Sequence, residues 1–282
     1  MSEQDYLLDD RDWSKLGFGE QLRQVELEGY LVIPDLLPPE DLAGLKAETA
    51  RLETRAVDYS PHQRGCPAVQ FRGGAISNLV AHPRTAEFLG KVFGDDLVLM
   101  SYDYARSEPG HPGVSFHTDG QPYGSMIFGA KHTCPVMIRV LYYLDDLTPE
   151  VSPFRVIPRS HLSLHTEGNP YNRYDGHPQQ VMVTAKAGSA VFLNYKVFHG
   201  NFPNRGGYAR EMLALAFRPA WAGPLAKVED WDRGQVAKLP PDVQRLMGDR
   251  NQRRAYIDVG NKPANMPTDA PTLDPSRWER PN

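Results

Sequence analysis

The chain has 282 residues, of which 40% are hydrophobic and 23% are charged, and its formal net charge is -4. The absence of a basic run argues against nucleic acid or an anionic membrane as a partner, and the two cysteines, Cys66 and Cys134, are too few and too far apart for a disulfide scaffold or a thiolate zinc site. The acidic first ten residues lack the basic and apolar segments of an export signal, and no apolar run approaches the ~20 residues of a membrane span, so we expect a cytoplasmic protein.

The first hundred residues are predicted to be largely helical. Residues 19–29 carry apolar side chains at helical spacing and end on Gly29, a residue type that caps helices. A short apolar strand follows at residues 30–33. Pro38-Pro39-Glu40-Asp41 places proline and acidic side chains in the first turn of a second helix, and a third helix is predicted at residues 83–93. These helices are expected to flank a β-rich core.

From residue 97 onward, short runs of β-branched and aromatic residues alternate with Gly, Pro, Asn and Asp, which is typical of strands. Strands are predicted at residues 97–106, 114–118, 136–144, 154–157, 180–184, 189–194 and 209–218, and at 31–33 or 68–71. Because turns join them, a mainly β fold of sandwich or jelly-roll type is favoured over a parallel α/β sheet. The connections at 105–115 and 162–179 are long, as binding loops and lids often are.

Two histidines and an aspartate form a candidate metal site. In an extended segment, side chains two positions apart point to the same face, so His117 and Asp119 can bind one ion together. His199 follows an apolar strand and precedes a glycine, where the chain leaves the core. Two imidazoles with one carboxylate suit non-haem Fe(II) chemistry. Zinc hydrolases use the same donors, and structural histidines are the alternative.

An arginine near the third ligand favours a carboxylate-binding site. A hairpin that turns between Asn204 and Arg205 would place His199 opposite Arg210, with Cβ atoms ~4.5–5.5 Å apart. A guanidinium beside a metal can hold a carboxylate through two hydrogen bonds. The alternative is an exposed arginine on an edge strand.

In this order and spacing, the motifs resemble those of the phytanoyl-CoA dioxygenase family of Fe(II)- and 2-oxoglutarate-dependent oxygenases. The resemblance covers residues 27–219 and rests on Gly-Tyr-Leu-Val-Ile-Pro at 29–34 with the Pro-Pro-Glu-Asp helix start, His-Thr-Asp at 117–119, Tyr-Leu-Asp-Asp-Leu-Thr-Pro at 143–149, Phe-Arg-Val-Ile-Pro-Arg-Ser-His at 154–161, Ala-Gly-Ser-Ala-Val-Phe at 187–192, and His-Gly at 199–200 with Arg210 eleven positions later.

The resemblance implies a double-stranded β-helix, which is a form of jelly-roll, in a single domain with residues 220–282 packed on the core as an extension. It implies that His117, Asp119 and His199 bind iron and that Arg210 binds the distal carboxylate of 2-oxoglutarate, with one metal position left for O2. The implied activity is hydroxylation of a C–H bond in a small organic molecule, with succinate and CO2 as co-products.

Two positions depart from the family pattern, and one residue bears on the reaction type. Asn201 stands where the family often has a co-substrate-binding serine, and Arg159 replaces a common glycine. Related halogenases lack the metal-binding carboxylate, so Asp119 favours hydroxylation over halogenation.

Further side chains are candidates for the pocket. We expect Asn201 and Tyr102 to bind the co-substrate, while Tyr104, Arg139, Phe116 and Arg106 are candidates for the substrate. A charge on a barrel strand is costly unless it is paired, so Arg139 is expected to bind an acidic group of the substrate or of 2-oxoglutarate. For the tyrosines, core packing is an equal alternative.

Two other functions remain open. The same iron site could direct desaturation, epoxidation or ring closure, because the outcome depends on how the substrate lies. A hypothesis from another functional class is a non-catalytic jelly-roll protein that binds a small molecule. The sequence allows a monomer or a homodimer.

Overall fold

The computed structural model describes residues 6–94, 96–119, 136–162, 176–223 and 227–252. In chain order its strands and helices are β1 (Leu7–Asp9), α1 (Phe18–Arg23), β2 (Tyr30–Ile33), α2 (Pro39–Thr49), β3 (Arg55–Val57), β4 (Ser60–Cys66), α3 (Gly74–Asn78), α4 (Pro83–Phe93), β5 (Leu97–Ser107), β6 (Val114–His117), β7 (Ile138–Tyr143), β8 (Phe154–Val156), β9 (Val181–Val183), β10 (Ala190–Asn194), β11 (His199–Asn201), β12 (Arg210–Pro219), α5 (Arg233–Val236) and α6 (Pro241–Leu246).

The strands form two sheets that enclose the core. The smaller sheet has the order β1-β9-β8-β11-β6, and the larger has the order β2-β10-β7-β12-β5-β4-β3. Pairing is antiparallel except between β1 and β9. Seven of the ten pairs of neighbouring strands in this order are not consecutive in sequence, as the long crossings of a jelly-roll require. The expected double-stranded β-helix is therefore observed.

The larger sheet has a helix-facing side and a cavity-facing side. The Tyr142 hydroxyl lies 2.6 Å from Thr85 Oγ1 on α4, and Thr49 Oγ1 on α2 donates to Glu211 over 2.9 Å. Side chains alternate along a strand, so their neighbours Leu141 and Met212 point the other way, into a cavity between the sheets. The helices thus leave one end of the barrel free for a site.

The first predicted helix is interrupted. Helix α1 ends at Arg23, and a π-helical turn over Gln24–Glu28 leads to Gly29. Gly29 has a φ of 88°, and a Cβ there would lie 2.7 Å from the side chain of Val197. Only glycine satisfies both the left-handed backbone and this close approach.

Two strand predictions need correction. Residues 68–71 do not form a strand, because Val69–Phe71 is a 3₁₀ turn, whereas residues 30–33 do. The edge pair β3–β4 was not predicted, since the polar sequence Ser-Pro-His-Gln-Arg-Gly-Cys of β4 has no hydrophobic alternation. The connection expected at 105–115 is shorter than predicted, because β5 continues to Ser107.

The segment after β12 packs on the core as far as the structure describes it. Trp231, Val243 and Met247 are buried in the main hydrophobic cluster, and Arg218 on β12 donates to the backbone carbonyls of Arg250 and Gln252. Residues 253–282, the greater part of the expected loop at 162–179, and Cys134 lie outside the described residues. The single-domain assignment stays a prediction. Among the described helices, none has the length and apolarity to cross a membrane.

Candidate active site

The three predicted metal ligands come together at one end of the barrel. Strands β6 and β11 are neighbours, and His117 is the register partner of His199, so the centroids of their rings lie 4.3 Å apart. Asp119 follows β6, with Oδ1 4.0 Å from Nε2 of His117 and Oδ2 3.6 Å from Nε2 of His199. All three donor atoms lie within 4.8 Å of one another. Since metal–ligand distances are ~2.0–2.2 Å, one ion can reach all three with small side-chain adjustments.

Backbone carbonyls orient both imidazoles. Nδ1 of His117 lies 2.9 Å from Ser115 O, and Nδ1 of His199 lies 3.0 Å from Val197 O. A carbonyl only accepts, so each Nδ1 carries a proton, and each Nε2 lies towards Asp119. Burial, assisted by the nearby His117, lowers the pKa of His199 to about 4. This imidazole is therefore neutral at pH 7, as a metal ligand must be.

Asp119 is held at two points, and one of its carboxylate oxygens has no hydrogen-bond partner among the described residues. Its backbone N–H donates to Tyr195 O over 2.8 Å, and its Oδ1 accepts from Nη1 of Arg139 over 2.8 Å. Oδ2 is buried and has no hydrogen-bond partner among the described residues. Burial opposes ionisation, but the Arg139 guanidinium and the two imidazoles together hold the pKa of Asp119 below its usual value. An ionised carboxylate beside two imidazoles, with one oxygen unpartnered among the described residues, fits a divalent cation.

A cavity of about 150 Å³ opens beside this cluster. Its lining comes from both sheets and combines apolar walls with polar groups at either end. The lining residues are Gln63, Val114, His117, Asp119, Arg139, Leu141, Phe154, His199, Asn201, Arg210, Met212 and Ala214.

Arg210 faces the cavity with an unsatisfied guanidinium. The side chain is fully buried, and its Nη2 donates to Ser107 Oγ over 2.8 Å. Ser107 in turn donates to Oε1 of Gln63. Nε and Nη1 of Arg210 have no partner among the described residues, and burial lowers the pKa of this arginine. A buried cation with two free donors is suited to bind a carboxylate through two hydrogen bonds.

The predicted hairpin between His199 and Arg210 is wrong. Strand β11 lies between β8 and β6 in the smaller sheet, whereas β12 lies between β7 and β5 in the larger sheet. Arg210 is opposite Ser107 rather than His199. The intervening segment crosses between the sheets, and the side-chain amide of Asn204 fixes it by donating to the carbonyls of Ser107 and Tyr208. His199 and Arg210 nevertheless line one cavity, from opposite walls.

Two more predicted residues lie at the cavity. Asn201 is in its lining and donates its amide weakly to Ser152 O over 3.3 Å. Arg139 also lines the cavity, but its guanidinium contacts the carboxylates of Asp119 at 2.8 Å and Asp103 at 3.5 Å. The expectation that Arg139 binds an acidic group of a ligand does not agree with these contacts.

Four residues that were predicted to contact the co-substrate or the substrate do not line this cavity: Tyr102, Tyr104, Arg106 and Phe116. Tyr102, Tyr104 and Arg106 share the face of β5 opposite to Ser107, and the Tyr104 hydroxyl donates to Glu211 over 2.7 Å. The other side chain, Phe116, alternates with His117 and packs with Ile157 and Phe198 in a small separate cluster.

Sequence reasoning missed Ser107 and Gln63, the pair that holds Arg210. Ser107 was placed outside its strand by a boundary one residue too short, and Gln63 lies on the unpredicted β4. A polar residue opposite Arg210 could have been found only with the correct strand pairing.

Comparisons with known proteins identify the family of this chain. The model of the family described as phytanoyl-CoA dioxygenase (PhyH) matches residues 25–212. The chain is 25% identical over 242 residues to dioxygenase trt7 of Aspergillus terreus, covering 80% of this chain and 82% of that protein. It is 23% identical over 235 residues to the ectoine dioxygenase of Bordetella bronchiseptica, covering 70% and 74%.

Solved structures show the same fold. HygX from Streptomyces hygroscopicus, crystallised with nickel and 2-oxoglutarate, aligns with a TM-score of 0.61 at 21% identity over 71% of this chain and 86% of that one. The carbocyclase SnoK from nogalamycin biosynthesis aligns with a TM-score of 0.60 at 17% identity over 83% and 95%. With the family model matched over most of its length, this chain belongs to the phytanoyl-CoA dioxygenase family of non-haem iron and 2-oxoglutarate-dependent dioxygenases.

Proposed function

We propose that this protein uses Fe(II), 2-oxoglutarate and O2 to hydroxylate a C–H bond of a small organic molecule, with succinate and CO2 as co-products. The observation that carries the proposal is that a cluster of metal donors and a buried arginine with unpartnered nitrogens line the same cavity. Three metal donors come together beside the cavity, and Arg210, whose Nε and Nη1 have no partner among the described residues, lies in the same lining. A dicarboxylate with a metal-chelating end satisfies both.

His117, Asp119 and His199 would hold the iron, leaving three coordination positions open. When bound, the iron with 2-oxoglutarate and O2 supplies the oxidant that removes hydrogen from the substrate. The protein's part is to orient the two imidazoles and Asp119. It does so through the carbonyls of Ser115 and Val197 and through Tyr195 and Arg139.

Arg210 would bind the distal carboxylate of 2-oxoglutarate. Ser107 accepts from one N–H group of Nη2, and Nε and Nη1 have no partner among the described residues, so N–H groups remain free for a carboxylate. Leu141, Met212 and Ala214 provide an apolar wall for the methylene groups. At about 150 Å³ the cavity is smaller than the ~300–1,000 Å³ pockets that enclose drug-sized ligands. The organic substrate would therefore approach from the side of His117, whose side chain is 34% exposed.

The carboxylate of Asp119 favours hydroxylation, because it occupies the position that a halide would need. The structural relatives include enzymes described as an epimerase, SnoN, and a carbocyclase, SnoK. Ring closure or desaturation at the same site is therefore the second candidate, and the products of turnover distinguish it from hydroxylation. A gain of one oxygen supports hydroxylation, and a loss of two hydrogens supports the alternative.

The test is anaerobic addition of Fe(II) and 2-oxoglutarate, followed by exposure to O2 and measurement of succinate. We expect a visible charge-transfer band before O2 and succinate afterwards, both absent in His117→Ala. Arg106→Gln is the matched control, because Arg106 lies on the opposite face of β5 from the cavity and should behave as wild type. Folded wild-type protein that gives neither band nor succinate would overturn the proposal in favour of a non-catalytic binding protein.

A further inference from the structure

Three charged side chains form a chain that ends at the candidate metal site. Asp103 on β5, Arg139 on β7 and Asp119 after β6 come from three separate segments. Nη1 of Arg139 donates to Oδ1 of Asp119 over 2.8 Å, and Nη2 lies 3.5 Å from Oδ2 of Asp103. Asp103 also accepts from the backbone N–H of Ala68 over 3.2 Å.

The position of Arg139 in the sheet accounts for this arrangement. Strand β7 lies between β10 and β12, and Arg139 is opposite Leu193 on one side and Ala216 on the other. Its side chain faces the cavity and is only 23% exposed, so the guanidinium needs counter-charges close by. The two aspartates supply them, one at each terminal nitrogen.

We infer that Arg139 is a positioning residue that fixes how Asp119 binds the metal. Its hydrogen bond occupies Oδ1, while Oδ2 is buried, unpartnered and 3.6 Å from Nε2 of His199. Asp119 then binds through Oδ2 alone. This inference rests on the proposed function and explains how the site keeps its open positions. If both oxygens chelated the ion, one of the three positions needed by 2-oxoglutarate and O2 would be lost.

The local charge argues against a direct role for Arg139 in binding an acidic substrate. Arg139 lies between two carboxylates, and the three side chains together carry a net negative charge. An anionic group approaching Arg139 would be repelled by Asp103 and Asp119 and would have to displace one of them. Arg210, by contrast, lines the same cavity with Nε and Nη1 unpartnered among the described residues, and so is available to an anion.

The experiment compares wild type with Arg139→Gln, Arg139→Lys and Asp103→Asn, and uses Arg106→Gln as the matched control. Co(II) is the probe, because its visible spectrum reports coordination number and needs no turnover. Affinity for Co(II) is measured by titration, and spectra are recorded with and without 2-oxoglutarate. Wild type is measured first. If it binds neither Co(II) nor 2-oxoglutarate, the proposed function fails, and the inference fails with it.

We expect Arg139→Gln to bind Co(II) 10–100-fold more weakly, as is usual when a partner that orients a ligand is removed, and to show an altered spectrum at saturating metal. Asp103→Asn should show a smaller loss, and Arg139→Lys should be intermediate because an ammonium can bond Oδ1 but lacks the planar fork. If Arg139→Gln does not fold, the lysine variant carries the same comparison. Wild-type affinity and spectrum in the folded variants would overturn the inference. A higher Michaelis constant for the organic substrate with unchanged Co(II) binding would instead assign Arg139 to the substrate.

Discussion

Replacing Arg210 with methionine separates a ligand-binding arginine from a structural one. Methionine has a similar length and removes the charge. In the absence of ligand, Arg210 has two buried donors without partners among the described residues and one hydrogen bond, to Ser107. The variant therefore loses one favourable hydrogen bond and also removes the two buried donors that have no partner among the described residues.

The expected change in stability follows from these contacts. A buried donor without a partner costs about 1–3 kcal/mol, and a hydrogen bond to a charged group contributes about 1.5–3 kcal/mol. Because two donors are released and one bond is lost, the midpoints of these ranges make the ligand-free Arg210→Met protein about 2 kcal/mol more stable than wild type. A structural arginine would show the opposite sign.

Addition of 2-oxoglutarate should reverse the order of stability of wild type and Arg210→Met. A ligand at 100 times its dissociation constant stabilises the folded state by about 2.7 kcal/mol, which is about 5–10 °C in melting temperature for a domain of this size. We expect wild type with Ni(II) to show this shift on addition of 2-oxoglutarate and Arg210→Met to lose it. The measurement is differential scanning calorimetry with Ni(II), with and without 2-oxoglutarate.

Arg218 on the same strand provides the matched control. It is also buried, with 2% of the residue exposed, but it donates to the backbone carbonyls of Pro219, Ala220, Arg250 and Gln252. Its replacement by methionine removes these four hydrogen bonds, so the ligand-free protein should lose several kcal/mol, on the order of 3–5. The 2-oxoglutarate shift should remain. The reasoning is refuted if Arg210→Met melts well below wild type and still responds to 2-oxoglutarate.

Two further predictions concern the metal cluster. Asp119→Asn should keep the bond to Arg139 through its amide oxygen and fold normally, but it should bind Ni(II) at least 100-fold more weakly by titration; unchanged affinity would remove Asp119 from the ligand set. The metal-free protein should also lose stability as the pH falls from about 6.5 to about 4, because the folded state holds His199 and His111 neutral with pKa values of about 4, whereas the unfolded chain binds protons near pH 6.5. For His199 alone the loss between pH 7 and pH 5 is about 2 kcal/mol, measurable by urea unfolding, and a flat profile would contradict these pKa values.

The sequence was sufficient for features that depend on local periodicity. The spacing of two between His117 and Asp119 places both on one face, whatever the sheet partner is. The proline and acidic residues at 38–41 begin helix α2 as predicted, since helix starts depend on the first turn alone. The strand that carries Arg210 was likewise evident from its apolar run.

Features that depend on strand pairing could not be predicted in this way. The segment between His199 and Arg210 is a polar turn rich in Asn and Gly. Such a turn suits a hairpin and a crossing between the sheets equally well, so the local sequence does not distinguish them. Which face of β5 turns towards the cavity is also set by its pairing with β12. That uncertainty is why Tyr102 and Tyr104 were expected at the cavity, whereas it is Ser107, on the other face, that bonds the cavity residue Arg210.

Because side chains alternate along β5, substitutions on its two faces should affect the Michaelis constant for 2-oxoglutarate differently. Ser107→Ala removes the hydrogen bond that orients Arg210, which is worth about 1.5–3 kcal/mol. The Michaelis constant for 2-oxoglutarate should therefore rise about 10–100-fold, with little change in kcat at saturation. Tyr102→Phe removes a buried hydroxyl that has no partner among the described residues, so that Michaelis constant should stay at the wild-type value and stability should not fall. A raised constant in Tyr102→Phe together with a normal one in Ser107→Ala would mean that the cavity lies on the other face of the strand, and the assignment of Arg210 would fall with it.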